Sequence, residues 1–378
     1  FGLSADLFGS ILTGSLLCVT RSFETEEMLA YMQRIKPTII CSVPRMYEKI
    51  CVNVLHGINQ MKGLRKKLMN TAVLVGRQYY VCRCRGESVS LSTKLYRRLF
   101  FFIYRRLRRA LNLHRARLIV SGGGPLPIEV AYFFGGIGLP IIEGYGLTET
   151  APIINVNPME KNKPGTVGPP LEGVEEKISD EGEVLVKGPT VFKGYHNNPE
   201  EEEPVFTADG YFRTGDLGRF DEDGYLIITG RIKDLVITSS GKNVAPLHVE
   251  KLFEDDAYIN YICVVGDGRK YLTALIVPDF QTLRNYAREH NIGFDSNEEL
   301  TTRPEIIGFY KERLNATCRS LASHEQIKKF TLIPTEFSVS GGELSPTFKF
   351  RRHHVHEKYK DLIDAMYPSG DSIKDEIG

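Results

Sequence analysis

Three stretches of this chain of 378 residues combine side chains that suit a polar, charged ligand. The first stretch, Tyr211–Glu250, alternates short β-rich runs with turns that contain Gly and Asp. The Asp216 carboxylate can accept hydrogen bonds from a diol, and the Arg231 guanidinium can donate a fork of hydrogen bonds to an anionic or ribose oxygen. Gly241 leaves space for a ligand close to the main chain. Taken alone, a β-meander with polar turns explains this pattern about equally well.

The second stretch, Gly144–Thr150, follows a short predicted strand at Pro140–Glu143. A turn at the carboxyl end of a parallel strand is where open α/β sheets bind ligands. Tyr145 offers a ring face to a base, Thr148 offers a hydroxyl to a phosphate, and Glu149 offers a hard oxygen ligand to Mg²⁺. A strand-to-helix turn with Thr148 as its cap is the alternative interpretation.

The third stretch, Glu343–Arg352, carries Lys349 on a loop that contains a proline and precedes a predicted helix. A lone lysine in a basic loop is usually solvated, so Lys349 is a candidate only in combination with the other stretches. Gly124 lies in a Gly-rich turn after a strand that begins at Leu118. Small residues there allow a ligand to touch the main chain, although a tight turn needs no ligand.

The elements that must position these residues indicate an α/β fold. A predicted helix, Thr25–Ile35, precedes a predicted buried strand, Pro37–Ser42, and this order is typical of α/β proteins. A Gly-rich, β-rich region from about residue 160 to 230 predicts a small subdomain. We therefore expect parallel sheet layers with helices and a small β-barrel-like subdomain, followed by a smaller α+β C-terminal domain.

The composition excludes several classes of protein. Hydrophobic residues make up 42% and charged residues 25% of the chain, which is typical of a packed globular protein. The net charge of +1 and the lack of a recognisable nucleic-acid-binding module argue against nucleic acid as a partner. The seven cysteines are scattered, and Cys82-x-Cys84 has no second pair at zinc spacing. We expect buried thiols in a reducing compartment, the cytoplasm.

The segment Tyr96–Arg109 has basic residues on both sides of an apolar, aromatic centre. Such a segment can lie on an anionic membrane surface, which would make the protein a peripheral membrane protein. The preferred interpretation is a helix that packs in the core while its arginines extend to solvent. No apolar run in the sequence is long enough to span a bilayer.

The order of the motifs resembles that of the adenylate-forming superfamily, which includes acyl-CoA synthetases, luciferases and the adenylation domains of peptide synthetases. The resemblance rests on Tyr-Phe-Arg-Thr-Gly-Asp216, then Gly-Arg-Ile-Lys-Asp, then Ser-Gly-Lys-Asn-Val-Ala-Pro. Val43–Ile50 and the Leu-Ser-Pro-Thr-Phe-Lys349 tail resemble the long-chain fatty acyl branch, with Ser345 where threonine is usual.

The resemblance implies a role in ATP binding for most of the candidate residues. Tyr145 would contact adenine, Thr148 would contact phosphate, and Glu149 would bind Mg²⁺. Asp216 would hold the ribose hydroxyls, and Arg231 would support the ribose and phosphate side. Three further residues would line the adenine and acyl site: Gly124, Glu143 and Gly144.

The resemblance also implies the reaction. A fatty acid attacks the α-phosphate of ATP, pyrophosphate leaves, and coenzyme A then takes the acyl group from the adenylate and releases AMP. Lys349 would be the catalytic lysine, with Thr148 and Glu149 at the leaving pyrophosphate, because the first step gathers negative charge that must be neutralised.

The two steps need different groups at the acyl carbon, so the resemblance implies two domains that move. Residues 1–232 would be the later part of the large AMP-binding domain, and residues 233–378 would be a small mobile domain. Lys233 would lie at the hinge, and Ser240 and Gly241 would face the path of coenzyme A.

The phosphate loop of the superfamily, a Ser/Thr/Gly-rich run that ends in Pro-Lys-Gly, is missing from this sequence. In the superfamily it lies upstream of the segment that resembles Phe1–Ser22. We therefore expect that the chain is the later part of a longer enzyme and is weakly active or inactive alone. Two alternatives stay open: a ligase that hands its acyl-adenylate to a carrier protein, and a nucleotide-binding relative without turnover. The joint presence of candidate nucleotide, metal and catalytic residues favours an enzyme.

Overall fold

The computed structural model describes four stretches of the chain: residues 7–20, 25–196, 205–345 and 350–367. The chain divides into two compact units, Phe1–Ile228 and Thr229–Gly378. The sequence predicted domains of residues 1–232 and 233–378, so the observed division falls slightly earlier in the chain. The hinge role of Lys233 stays a prediction.

The first sheet gives the first unit its α/β character. Its strands are β1 (Ile39–Ser42), β2 (Leu118–Gly122), β3 (Ile141–Tyr145) and β4 (Asn155–Val156). Strands β1 to β3 are parallel neighbours in sequence order, and β4 runs antiparallel to β3. Ile119 and Ile141 pair between β2 and β3 and are almost fully buried, as expected for short apolar strands covered by helices.

The first unit has seven α-helices in the described part of the chain. They are α1 (Gly9–Thr13), α2 (Thr25–Ile35), α3 (Pro44–Gln60), α4 (Gly63–Cys84), α5 (Leu91–Leu99), α6 (Phe101–Ala110) and α7 (Ile128–Gly136). Helices α3 and α7 pack on this sheet. Tyr47 of α3 and Phe134 of α7 are fully buried, with their ring centroids 5.8 Å apart in an edge-to-face contact. The Tyr47 hydroxyl donates a hydrogen bond to the Val120 carbonyl at 2.8 Å, so the helices are fixed to the middle of the sheet.

The segment Tyr96–Arg109 was predicted as one helix, but it belongs to two helices that meet at Phe100. One face of the pair packs inward, where the Tyr104 hydroxyl donates to the Ala72 carbonyl at 2.7 Å. Phe102, by contrast, is 73% exposed. In the described part of the chain, every helix is too short or too polar to cross a bilayer.

The second sheet occupies the region where the sequence predicted a barrel-like subdomain. Its strands are β5 (Glu175–Ile178), β6 (Glu183–Lys187), β7 (Phe212–Phe220) and β8 (Leu226–Arg231), in this spatial order. Strand β6 pairs antiparallel with both β5 and β7. Val184 and Leu226 are fully buried and pack with Ile154, so one face of this sheet forms an apolar core of its own.

The second unit combines a small sheet with helices on both faces. Its elements are β9 (Val236–Ile237), β10 (Asn243–Val244), α8 (Pro246–Lys251), β11 (Ile259–Val265), β12 (Leu272–Pro278), α9 (Phe280–Glu289), α10 (Asn297–Thr302), α11 (Pro304–Thr317), β13 (Ile327–Leu332), α12 (Arg352–Lys358) and α13 (Lys360–Ala365). Strand β12 lies between β11 and β13, antiparallel to the first and parallel to the second.

Strand β12 explains the continuous apolar run in this part of the sequence. All of its residues are buried, because Leu272 and Ile276 face one apolar cluster while Leu275 and Val277 face another. A strand covered on both faces is apolar at nearly every position, and the one polar residue here, Thr273, lies 2.9 Å from the buried Tyr367 hydroxyl. The architecture confirms the predicted fold class, an α/β fold followed by a smaller α+β unit.

Helices α4 and α7 approach most closely where two glycines meet, and this contact can be tested. A Cβ atom added at Gly76 would lie 2.7 Å from the Gly136 carbonyl oxygen. We expect Gly76→Ala to lower the free energy of unfolding by about 1–3 kcal/mol, although alanine is the better helix former. The control is Gly57→Ala in α3, where the added Cβ would meet no atom within 4 Å and the change should be neutral or stabilising. Urea denaturation that finds both variants equally stable would contradict the close contact.

Candidate active site

The turn after β3 is closed by Thr150. The Thr150 hydroxyl accepts a hydrogen bond from the Leu147 backbone N–H at 2.9 Å and donates to the Pro152 carbonyl at 2.9 Å. A Cβ atom at Gly146 would lie 1.6 Å from the Pro152 carbonyl oxygen, so this position requires glycine. Thr148 is exposed. The capping role that the alternative interpretation gave to Thr148 is therefore filled by Thr150.

The structure brings together Tyr145 and Asp216, which are distant in sequence. The Tyr145 hydroxyl donates a hydrogen bond to Asp216 Oδ2 at 2.7 Å. Asp216 is 3% exposed. Burial, together with the negative charge of Asp216, raises the pKa of Tyr145 well above its ordinary value, so the phenol keeps its proton. The candidate base-binding ring and the candidate ribose-binding carboxylate are thus held as one pair.

An irregular stretch of β7 orients Asp216. The pairing of β6 with β7 shifts register between Glu183 and Leu185, and Gly215 adopts a left-handed φ of 69° that favours glycine. Glu183 stabilises this bulge, because its carboxylate accepts hydrogen bonds from the Gly215 N–H at 3.0 Å and from Arg213 Nη1 at 2.9 Å. The Thr214 hydroxyl donates to the Val184 carbonyl at 2.7 Å. These contacts change the direction of strand β7 at Asp216.

Glu143 supports the surrounding loops. Its buried carboxylate accepts hydrogen bonds from the backbone N–H groups of Leu126 at 3.4 Å and Gly165 at 3.2 Å. A Cβ atom at Gly144 would lie 3.4 Å from the Asn155 carbonyl oxygen, a close approach between β3 and β4. Gly124 is exposed. The lining role predicted for these residues stays a prediction, and the structure adds a loop-bracing role for Glu143.

Tyr195 contacts the candidate metal ligand Glu149, a contact that the sequence did not reveal. The Tyr195 hydroxyl donates to Glu149 Oε1 at 3.0 Å, and the Phe192 backbone N–H donates to the Glu149 carbonyl at 2.7 Å. The rings of Phe192 and Tyr195 pack edge to face with centroids 4.9 Å apart. The contact joins residues that are 46 positions apart, so no local sequence pattern indicates it. Tyr195 therefore orients the Glu149 carboxylate, while Phe192 holds the Glu149 backbone and packs against the Tyr195 ring.

The candidates of the second unit lie on exposed segments. Arg231 ends β8, and Lys233 lies in a short 3-10 helix that follows it; both are exposed. Gly241 has a left-handed φ of 73° in the turn between β9 and β10, and an added Cβ would meet no atom within 4 Å. The Ser240 hydroxyl lies 3.0 Å from that of Thr238 in the same turn. The turn therefore has open space beside its backbone.

Lys349 lies outside the described residues, but its described neighbours are firmly held. Leu344 and Phe350 form an antiparallel bridge, and the Glu343 carboxylate accepts hydrogen bonds from Lys358 at 2.5 Å and Tyr359 at 3.0 Å. Burial raises the pKa of Glu343, but these and other hydrogen bonds outweigh it and leave the pKa below its ordinary value.

A buried ion pair holds the other side of this segment. Arg352 Nη2 donates hydrogen bonds to both carboxylate oxygens of Glu250, at 2.8 and 2.7 Å. Arg352 Nη1 donates to the Val264 carbonyl at 3.0 Å. The Glu250 carboxylate also accepts from the Val264 N–H at 2.8 Å. A buried pair with this many hydrogen bonds holds the start of α12 on strand β11.

Two family comparisons cover most of the chain. Residues 1–196 match the sequence model of the AMP-binding enzyme, and residues 233–371 match that of the AMP-binding enzyme C-terminal domain. The second match begins at the residue that the sequence predicted as the start of the small domain.

Several curated proteins are similar over nearly the whole chain. The long-chain-fatty-acid–CoA ligase FadD15 of Mycobacterium tuberculosis is 36% identical over 91% of this chain and 57% of its own length. The long-chain-fatty-acid–CoA ligase ACSBG1 of Rattus norvegicus is 30% identical over 96% of this chain and 53% of its own length. The chain thus spans little more than half the length of these relatives.

Solved structures share the fold. The A domain of carboxylic acid reductase from Segniliparus rugosus, in complex with AMP and a co-purified carboxylic acid, has a TM-score of 0.65 at 22% identity, over 96% of this chain and 52% of that one. The ATP-bound RpMatB-BxBclM chimera B1 has a TM-score of 0.59 at 26% identity, over 90% of this chain and 54% of that one. With sequence models, relatives and fold in agreement, the chain belongs to the AMP-binding enzyme family.

Proposed function

We propose that the protein containing this chain activates a long-chain fatty acid with ATP, releases pyrophosphate, and then transfers the acyl group to coenzyme A with release of AMP. The observation that carries the proposal is the pair of Tyr145 and Asp216, held at 2.7 Å beside the glycine-containing turn after β3. The names of the relatives support the acyl substrate and coenzyme A.

In this proposal the nucleotide lies against the first unit. Tyr145 contacts adenine, and the buried Asp216 accepts hydrogen bonds from the ribose hydroxyls. Gly124, Glu143 and Gly144 line the adenine and acyl site. Because the Tyr145 hydroxyl is already bonded to Asp216, adenine is recognised by the ring itself and by the neighbouring main chain. Arg231 supports the ribose and phosphate side.

Mg²⁺ fits the donor set at Glu149. In the described part of the chain, no three His, Cys, Asp or Glu side chains gather in a group that could hold a metal. A single carboxylate suits Mg²⁺ in a nucleotide site, because this ion takes its other ligands from water and phosphate oxygens. When bound, Mg²⁺ neutralises charge on the leaving pyrophosphate. Tyr195 orients the Glu149 carboxylate, and Thr148 offers its exposed hydroxyl to the phosphates.

We assign the transfer of the acyl group to residues of the second unit. Lys349 places a positive charge between the fatty acid carboxylate and the α-phosphate in the first step. The thiol of coenzyme A approaches along the turn with Ser240 and Gly241 in the second step, when Lys349 is no longer needed. A movement about Lys233 exchanges these groups.

The adenylation step can be tested in the complete protein by fatty-acid-dependent exchange between ATP and pyrophosphate. We expect Lys349→Ala to lower the exchange rate by roughly 10²–10³-fold, because a positive charge at the reacting phosphate is lost. The control is Lys328→Ala on β13, which removes an exposed lysine that contacts Gln326. Exchange by Lys349→Ala within threefold of the unchanged protein would refute the catalytic role. Acyl transfer without added coenzyme A would favour a carrier protein as the acceptor.

The metal role of Glu149 predicts a second effect in the same assay. Tyr195→Phe removes the 3.0 Å hydrogen bond to Glu149 and should raise the Mg²⁺ concentration for half-maximal exchange by about five- to tenfold. The control is Tyr211→Phe, which removes a similar hydrogen bond to Glu175 at 3.1 Å on the exposed side of the second sheet. An unchanged Mg²⁺ dependence in Tyr195→Phe would contradict the orienting role.

We also propose that this otherwise cytoplasmic protein binds anionic membrane surfaces through a basic–aromatic face of α5 and α6. Its residues are exposed and lie opposite the packed Tyr104: Lys94, Leu95, Arg98, Leu99, Phe101, Phe102, Arg105, Arg106 and Arg109. No Asp or Glu occurs between Glu87 and Glu129, so cations on this face have no acidic neighbour in sequence. Exposed apolar side chains beside cations suit a surface of anionic lipid.

Flotation of the complete protein with vesicles tests this proposal. We expect binding to vesicles of phosphatidylcholine with phosphatidylglycerol, and weak binding to phosphatidylcholine alone. Neutralising three cations of α6 should lower the partition coefficient at least tenfold, at about 1 kcal/mol per charge: Arg105→Gln, Arg106→Gln and Arg109→Gln. The control neutralises three exposed cations of the second unit: Lys311→Gln, Arg319→Gln and Lys328→Gln. An equal decrease of the partition coefficient in both triple variants would show that net charge alone determines binding, and would contradict the proposal.

A further inference from the structure

Two side chains next to Tyr145, the buried Asn155 and the partly buried Glu176, form an unusual pair. Asn155 lies in β4 directly opposite Tyr145 in the sheet register, and Glu176 lies in β5. Asn155 Nδ2 donates hydrogen bonds to the Gly168 carbonyl at 3.2 Å and to Glu176 Oε2 at 3.1 Å. Because both neighbours of this nitrogen are acceptors, the orientation of the amide is determined. The amide oxygen must then face the other way.

The remaining oxygen of each side chain is buried without a donor. Neither Asn155 Oδ1 nor Glu176 Oε1 accepts a hydrogen bond from any residue that the structure describes. Two buried acceptors left unsatisfied on side chains that already touch would be costly. A single proton on Glu176 Oε1 removes the cost, because a carboxylic acid and an amide can form two parallel hydrogen bonds, one in each direction.

Among the described residues, no cation forms an ion pair that would stabilise the charged form of Glu176. On its own face it lies near Tyr145, whose hydroxyl already donates its proton in the hydrogen bond to Asp216. The flanking residues of β5 are engaged elsewhere, Glu175 with Tyr211 and Lys177 with Asp209. Its register partner in β6 is the apolar Val186.

The pKa of Glu176 agrees with a proton on its unpaired oxygen. Burial raises the pKa of Glu176 to about 7, and the hydrogen bond from Asn155 opposes this only partly.

We propose that Glu176 is a positioning residue held as a neutral carboxylic acid, which donates a hydrogen bond from Oε1 to Asn155 Oδ1 and so fixes β4 beside Tyr145. The neutral acid also keeps a second negative charge away from Asp216. The consequence for nucleotide affinity rests on the proposed function. The pairing of a neutral Glu176 with Asn155 does not depend on the proposed function.

The pair makes stability depend on pH in a defined direction. The pKa of Glu176 is about 7 in the folded chain and about 4.5 as its ordinary value. The folded state therefore holds the proton between these values while the unfolded state has lost it. The stabilisation from the proton is complete below pH 4.5 and is lost as the pH rises through about 7.

Glu176→Gln tests the proposal, because glutamine presents the same donor and acceptor as the protonated acid but cannot ionise. We expect its melting temperature to lie close to that of the unchanged protein at pH 4.5, and the difference in favour of the variant to grow with pH to roughly 4–10 °C at pH 8.5. The control is Glu175→Gln, the neighbouring exposed position, which removes the same charge and should change little between the two pH values. Parallel curves for Glu176→Gln and the unchanged protein would overturn the proposal.

Two further measurements keep the test decisive. A ¹³C NMR titration of the Glu176 carboxyl in the unchanged protein needs no variant: a midpoint near pH 7 supports the neutral acid and a midpoint near 4.5 refutes it. AMP affinity should fall about three- to tenfold more between pH 6 and 8.5 in the unchanged protein than in Glu176→Gln, and the comparison cancels titration of AMP itself. Failure of AMP to bind either form would refute the proposed function and leave the acid pair standing. AMP binding with the same pH dependence in both forms would refute the charge effect alone.

Discussion

The hydrogen bond between Tyr145 and Asp216 is the contact on which the candidate site of the first unit depends. Tyr145 ends strand β3 of the first sheet, and Asp216 lies in β7 of the second sheet, so this bond joins the two sheets directly at the candidate site. A buried carboxylate is costly unless donors surround it. The phenol meets this need and at the same time aligns the two sheets, so site geometry and packing have one common cause.

Buried carboxylates recur as supports for the loops around the candidate residues. Glu143 accepts backbone hydrogen bonds from two loops, Glu183 accepts one from the bulge before Asp216, and Glu343 accepts one from Ser338. In each case a charged acceptor satisfies a backbone N–H that has no partner in a strand or helix. Loops held in this way can carry functional residues without the regular hydrogen bonding of a sheet. Such loops are sensitive to mutation, because removing the carboxylate leaves several hydrogen-bond donors unsatisfied at once.

Regular elements could be predicted from the sequence where a single period extends over many residues. Helix Thr25–Ile35 has the predicted bounds, and the apolar run around β12 is a buried strand. Strand β7 was missed because its Thr-Gly-Asp sequence is typical of a turn, and only the hydrogen bonds of Glu183 show that it is a bulge within a strand. The contact of Tyr195 with Glu149 could not be predicted either, since it depends on tertiary packing between distant segments.

The candidates of the two units are held in different ways, and the proposed chemistry explains the difference. Tyr145, Asp216 and Glu149 of the first unit are held by hydrogen bonds within that unit, which suits groups that must stay in place through both steps of the proposed reaction. The second step of the proposed reaction requires a thiol where the first requires a positive charge. The described residues that flank Lys349 are braced by the Glu343 network and the Arg352–Glu250 pair. In the proposed reaction, a change in the position of Lys349 between the two steps must therefore leave the Arg352–Glu250 pair intact, since breaking a largely buried ion pair is costly.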